Sequence, residues 1–183
     1  MRTLGFLCPS FKTSPLAIIV LAMHGAPPND FSPRDLSEYF NLHMQLEQMR
    51  GPQRATLEAR YAELDTKVRA WPRTAENDPF YAGSLTLAQQ LRQAAGHEVI
   101  MGFNEFCAPS LDEALDQAAA QSPDKVIVIT PMMTRGGEHS EHDIPVAIQR
   151  AQARHPSINF IYVWPFDLSA AANFLAAQID RVS

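Results

Sequence analysis

Between Thr130 and Pro145 the chain reads TPMMTRGGEHSEHDIP, which sets two histidines, three carboxylates, one arginine and a Gly-Gly pair in one short stretch. Imidazole and carboxylate together suit borderline divalent ions such as cobalt(II), iron(II), nickel(II) or zinc(II). Groups of the same kind occur in two other places, His24 in MHGAPPND and Glu105 in GFNEFCAPSL. Two or three histidines, from His24, His139 and His142, and Glu105 are therefore the candidate metal ligands or proton acceptors. His142, three residues after His139, either joins it on one face or looks into water. Arg135 beside Gly136 and Gly137 offers a guanidinium and backbone N–H groups to an anion. Each residue also has a plainer reading. His24 could be a satisfied histidine in a turn, Glu105 a helix cap or a solvated carboxylate, and His139 a solvated loop residue. His43, His97 and His155 read as structural, and Cys107, with no activating base near it in sequence, as packing.

For those groups to meet, the elements between them must bring three chain segments to one place. Four apolar runs, Leu16–Met23, His97–Asn104, Lys125–Met133 and Ile158–Phe166, are rich in β-branched and aromatic residues and do not alternate with polar ones. That is the pattern of parallel strands buried on both faces. Helical segments separate them. Asp78-Pro79 starts one, with Leu85, Ala88, Leu91 and Ala95 as its apolar face and Gly96 as its stop. Ser110 and Glu113 form a capping box before Leu111, Ala114, Leu115 and Ala118. Another helix runs from about Asp143 to Arg154, and a last one from about Ser169 to Val182 buries Ala172, Leu175 and Ile179. Strand then helix, repeated four times, predicts an α/β fold: a four-stranded parallel sheet with helices on both faces. Ligands of such sheets bind outside the carboxyl ends of the strands, where His24, Glu105 and the His139 stretch fall.

Residues 32–72 interrupt the rhythm. Ser32, Pro33 and Asp35 start a helix and Gly51-Pro52 stops it; Leu57, Tyr61, Leu64, Val68 and Trp71 then make one narrow apolar stripe, ended by Pro72. This is a helical hairpin inserted after the first strand, either extra core on the sheet or a lid or dimer contact. Chain length suits one domain, 1–183, carrying that insertion. A net charge of -5, from 20 acidic and 15 basic side chains, gives no basic nucleic-acid footprint. No segment is long enough to span a membrane. Arg2, Lys12 and the run Leu16–Met23 imitate a signal peptide, yet the run is short and no A-x-A pattern follows. Two cysteines, Cys8 and Cys107, make no disulfide framework, so a reduced, cytoplasmic setting is expected. G-x-G-x-x-G after the first strand, a phosphate loop with G-K-[ST] and a G-x-S-x-G elbow are all missing.

Four features together resemble the small class II chelatases, the CbiX-type sirohydrochlorin chelatases. They are the apolar strand ending in His24-Gly25, GFNEFCAPSLDEAL, VIVITPMMTRGGEHSEHDIP, and the closing strand and helix. The likeness covers about residues 16–30 and 78–183, and its most specific part is His139 standing four residues before Asp143-Ile144-Pro145. The resemblance implies a chelatase-like α/β fold and a homodimer. It implies His24 and His139 as metal-site histidines with Glu105 as their acidic partner. It also implies insertion of cobalt, iron or nickel, as substrate, into a tetrapyrrole, with no organic cofactor. The macrocycle of that family carries eight carboxylates, for which Arg135 is the natural cation; Arg34, Arg50 and Arg54 of the insertion either help or are solvated surface charges. Two departures stand out: Ala26-Pro27 follows His24-Gly25 where the family often has Ser-Arg, and the 32–72 insertion sits beside the supposed site. A metal or tetrapyrrole carrier on the same fold, and a phosphate-binding enzyme using Thr134–His139, are the rival readings.

Overall fold

A computed structural model describes residues 17–182. Its sheet has four strands, β1 (Ala17–Met23), β2 (Glu98–Phe103), β3 (Lys125–Ile129) and β4 (Asn159–Tyr162), in the order β2-β1-β3-β4, all parallel. The chain leaves β1 for β2 on one side and later returns past β1 to β3, so the switch in strand order lies between β1 and β3. That is where an open parallel sheet offers a crevice. The fold matches the expected α/β class, with the domain's insertion where the sequence placed it. Expectations that fall on Arg2, Cys8, Lys12 and Leu16 lie outside the described residues.

Local chemistry explains most element boundaries. Helix α1 (Pro33–Gln48) begins where Ser32 Oγ accepts from the Asp35 N–H at 3.3 Å, and α2 (Arg54–Arg69) follows the Gly51-Pro52 break. Helix α3 (Pro79–Ala95) starts on Asp78, whose carboxylate accepts from the Tyr81 N–H at 2.8 Å, and ends at Gly96 in the left-handed conformation that glycine adopts without steric cost. Helix α4 (Leu111–Ala120) has the full reciprocal capping box of Ser110 and Glu113. Helix α5 (Ile144–Arg154) is preceded by a single π-helical turn, His139–Asp143, and α6 (Leu168–Ile179) is capped by Asp167.

The core has two parts, one for each face of the sheet. On the first, Ile18, Val20, Val126 and Val128 pack against Leu111, Ala114 and Leu115 of α4 and Ile144, Ala147 and Ala151 of α5. On the second, Leu21, Met23 and Phe103 pack with Ala88 of α3, and with Tyr39, Leu42, Leu64 and Val68 of the α1–α2 hairpin. Fully burying one such aliphatic or aromatic side chain stabilises by roughly 1.5–3 kcal/mol. The hairpin thus sits over the carboxyl ends of β1 and β2, next to the crevice. The expected stripe is realised, with Leu64 and Val68 buried and Leu57, Tyr61 and Trp71 partly so.

Two helix faces differ from expectation. In α3 the inward positions are Tyr81, Ser84, Ala88 and Leu91, whereas Leu85 and Ala95 are exposed; the stripe is displaced because Ser84 bonds its hydroxyl to the Phe80 carbonyl at 2.8 Å and so fits inside. In α6 the residues expected to be buried, Ala172, Leu175 and Ile179, are exposed. The helix leaves the sheet after β4 and lays no apolar face on the core. Strand β4 in consequence is not buried on both faces: Ile161 in it and Val163 just after it are exposed.

Candidate metal centre

Three strand ends supply the site. His24 follows β1 directly, Glu105 lies two residues past β2, and His139 opens the π-helical turn that follows β3 and its loop. The β1 and β2 extensions are zipped together beyond the sheet: the Asn104 N–H donates to the Met23 carbonyl and the Glu105 N–H to the His24 carbonyl, each at 2.9 Å. Gly25 is required at this seam. Its φ is 103°, and a Cβ there would stand 1.9 Å from the Glu105 carbonyl oxygen. The Glu105 turn is itself tight, with buried Phe106 at φ 57° and the Cys107 N–H donating back to the Glu105 carbonyl at 2.6 Å. Such a backbone persists only where its surroundings hold it, and sites of function are where it is found.

Two arginines from the end of the insertion provide that hold. Arg69 donates to the carbonyls of Cys107 (2.7 Å) and Asn104 (3.0 Å), on either side of Glu105, while Asp65 accepts from its Nε at 2.7 Å. Arg73 donates to the carbonyls of Ala26 (2.7 Å), Phe106 (2.5 Å) and Val68 (3.0 Å), and forms a buried ion pair with Asp78. The loops after β1 and β2 are thus pinned to each other and to α2. Sequence reading gave no hint of this: an isolated arginine at a helix end carries no pattern that names a carbonyl partner.

The reactive atoms converge. His24 Nε2 and His139 Nε2 each lie 3.9 Å from the same oxygen, Glu105 Oε2, and the two imidazole rings meet edge to face with centroids 4.5 Å apart. One ligand atom from each of the three residues lies within 4.8 Å of the other two. Both histidines are oriented from behind. His24 Nδ1 is 2.7 Å from the Gly25 carbonyl and His139 Nδ1 is 2.6 Å from Asp143 Oδ2. A carbonyl and a carboxylate only accept, so each Nδ1 carries a hydrogen, and in the neutral ring Nε2 would present its lone pair to the shared space. Burial alone would raise the Asp143 carboxyl, but the hydrogen bonds from His142 and His139 outweigh it and hold the group below the usual range. Neighbouring ligands of an ion bound at about 2.1 Å lie roughly 3.0–3.4 Å apart, so closing the triad on one takes movements under about 1 Å. His24 is 46% exposed, which leaves that side of the triad open.

Glu105 and His139, but not His24, also line a cleft of about 360 Å³ between the insertion and α5. Other predicted residues lie elsewhere. His142, 70% exposed, is on the cleft wall and donates to Asp143 at 3.0 Å, outside the triad. Arg135 is exposed and bonded to Glu141 at 2.9 Å, and neither it nor exposed Gly136 and Gly137 lines the cleft. Arg34, Arg50 and Arg54 do not line it either; Arg54 is spent on Glu58 and the α1 carboxyl end. The cleft's cations are Arg69 and Arg150 instead. His155 is structural as expected, 2.8 Å from Asp116, and Cys107 is buried, whereas His43 lines the cleft rather than the core.

Fold and triad define a parallel α/β protein whose strand ends bring together two histidines and one carboxylate, a partly open group that could hold a metal ion. The family model described as CbiX matches residues 76–182, and the chain belongs to that family. The sirohydrochlorin cobaltochelatase of Methanothermobacter thermautotrophicus is 42% identical over 59 residues, 32% of this chain and 41% of that protein. The sirohydrochlorin ferrochelatase of Priestia megaterium is 27% identical over 64 residues, 35% of this chain and 24% of that protein. The chain thus spans less than half the length of the curated relatives it matches. The crystal structure of the sirohydrochlorin chelatase SirB from Bacillus subtilis subspecies spizizenii in complex with cobalt gives a TM-score of 0.41, at 16% identity, covering 82% of this chain and 43% of that one.

Proposed function

We propose that the protein inserts a divalent metal, cobalt(II) or iron(II) with nickel(II) as a third candidate, into sirohydrochlorin or a related tetrapyrrole. The observation that carries this reading is the convergence of two imidazole Nε2 atoms and one carboxylate oxygen on a single point that remains open on one side. His24 and His139 hold the incoming ion as neutral donors. Three protein ligands leave coordination positions for the pyrrole nitrogens, so the metal is handed on rather than kept. Insertion replaces two pyrrole protons by one ion, and the same Nε2 atoms accept protons once the metal has left them. Glu105 is the third ligand or the base between them. Gly25 O and Asp143 keep both rings in the tautomer that does this. The relatives named sirohydrochlorin cobaltochelatase and ferrochelatase support the substrate and the two leading metals. No organic cofactor enters the scheme. Arg135, Gly136 and Gly137, on the turn ahead of His139, are retained as outer contacts for a substrate carboxylate.

The test follows the absorption of sirohydrochlorin with cobalt(II), iron(II) or nickel(II), with and without protein. Wild type should accelerate the spectral change, and His24→Ala and His139→Ala should each bring it back to background. Background rates with wild type refute the chelatase reading; tight metal or macrocycle binding with no turnover would leave a carrier.

The protein is also proposed to pair with a second copy in the cytoplasm. Support for pairing comes from apolar side chains left in solvent: Leu168, Phe174, Leu175 and Ile179 of α6, Ile161 of the edge strand β4 and Val163 just after it. Pairing of two copies would take such surface out of water. Light scattering should give twice the monomer mass, and Leu175→Glu with Ile179→Glu should give the monomer; a monomeric wild type sinks the pairing. Among the described residues no helix is long and apolar enough to cross a membrane.

A further inference from the structure

Resting on the site reading above, the geometry points to the inserted hairpin as a ligand wall: we propose that His43 and Tyr61 form a subsite for one edge of a flat, anionic aromatic ring system, with Arg150 opposite as its carboxylate anchor. From the sequence the insertion was expected to pack on the sheet or to serve as a lid or dimer contact, with Arg34, Arg50 and Arg54 as its only candidate ligand contacts. Its α1 and α2 instead turn Tyr39, His43 and Tyr61 toward the cleft that Glu105 and His139 line from below. Val146 of α5 lines the same cleft, together with nearly buried Ala147. Rings and an aliphatic side chain lining one cleft make it a candidate slot for a planar ligand, which such rings meet by stacked or edge contacts.

The aromatic wall is preorganised. Tyr61 lies 4.7 Å from Tyr39 at an interplanar angle of 30°, and His43 lies 5.9 Å from Tyr61 at 35°, so the three rings are tilted only modestly from one to the next. The Tyr61 hydroxyl donates to the Tyr39 hydroxyl at 2.7 Å, which donates to Asp65 at 3.1 Å, and Asp65 is itself held by Arg69. Rings fixed before binding lose little freedom when a ligand arrives, and stacked or edge contacts with them then count in full.

The anchor is exchangeable. Arg150 is half exposed and its guanidinium is engaged by Asp112. Asp112 is also bonded by Arg154, at 3.2 Å. When a ligand carboxylate draws Arg150 away, Asp112 keeps Arg154 and is not left unpaired, so the exchange lacks the usual penalty for abandoning an ion partner. Because His24 does not line the cleft, a ring seated in this slot meets the triad from the Glu105–His139 side, and the open His24 side stays free for the ion's entry.

The experiment uses full-length protein and an octacarboxylate porphyrin, whose absorption reports binding without metal insertion. Wild type should bind it, and His43→Ala, Tyr61→Leu and Arg150→Gln should each weaken binding about three- to tenfold, whereas Tyr61→Phe, which keeps the ring, should stay within about twofold. Cobalt(II) affinity, read from its visible absorption, should be unchanged in all four. Equal porphyrin affinity in wild type, His43→Ala and Tyr61→Leu, or no binding by wild type, overturns the subsite. Insertion into sirohydrochlorin is measured separately: its absence with porphyrin binding intact removes the chelatase reading and leaves the subsite standing.

Discussion

Replacing Gly25 by alanine tests the claim that the seam between the β1 and β2 loops sets the distance between His24 and Glu105. The new Cβ would stand 1.9 Å from the Glu105 carbonyl oxygen and 2.9 Å from its carbon. Ordinary carbon–oxygen contacts begin at about 3.3 Å. The two loops must therefore part by more than about 1 Å, against a Glu105 N–H to His24 carbonyl bond of 2.9 Å that holds them together. A non-glycine residue at φ 103° adds roughly 1–2 kcal/mol, and the lost hydrogen bond about 1 kcal/mol. The expected destabilisation is about 2–3 kcal/mol, a fall in Tm of roughly 4–12 °C for a chain of this length. The same displacement takes Glu105 Oε2 beyond bridging reach of the His24 imidazole, now 3.9 Å away, so cobalt(II) affinity should fall about tenfold or more. Calorimetry and a cobalt(II) absorption titration read the two effects independently. Wild-type affinity in a destabilised variant would show that the seam serves stability alone, and a variant unchanged in both would refute the steric argument itself.

Other perturbations probe the supports of the site. Asp143→Ala removes the acceptor behind His139 Nδ1, and cobalt(II) affinity should drop about 10- to 100-fold with Tm little changed; equal affinity would show that the pairing does not set the ring. Arg69→Ala strips donors from the Asn104 and Cys107 carbonyls, mostly out of solvent, and should cost about 2–3 kcal/mol in urea unfolding, with faster hydrogen exchange confined first to residues 104–107. Asp112 has burial working to raise its pKa, but bonds from Arg150 and Arg154 prevail and lower it. A depressed carboxyl stabilises the fold above its unfolded pKa, near 4, and that contribution is lost as pH falls through the lower folded value. Acid unfolding of Asp112→Asn should therefore show a smaller loss of stability between about pH 4 and 2 than wild type, and identical curves would contradict the assignment.

What was legible in the sequence was local or periodic. Ser32, Asp78 and the Ser110–Glu113 box announce helix starts because the cap and its N–H lie three residues apart, and the four apolar runs announce strands, though β4 is buried less than its run suggests. His24, Glu105 and His139 could be picked out because each lies past an apolar run, at the carboxyl end of an expected strand, and because of the family resemblance. Displacement of the α3 stripe was hidden, since a serine that satisfies its own hydroxyl can occupy a core position that polarity alone assigns to leucine. The exposed face of α6 was hidden for another reason: periodicity says that a face wants covering, not which molecule covers it. The π-helical turn that brings His139 onto Asp143 looked like a loop. Arg69, Arg73, His43 and Arg150 act across the fold, and no spacing in the chain marks such contacts.

The triad's members come from three strand ends far apart along the chain, so the unfolded polypeptide has no version of it. Any ion gripped there would count as a folding ligand. Saturating it a hundredfold above Kd adds about 2.7 kcal/mol to the native state, and a chelator takes the same amount away. Heat resistance would then track the metal supply, and a cell short of that metal would hold less of this protein in its native form.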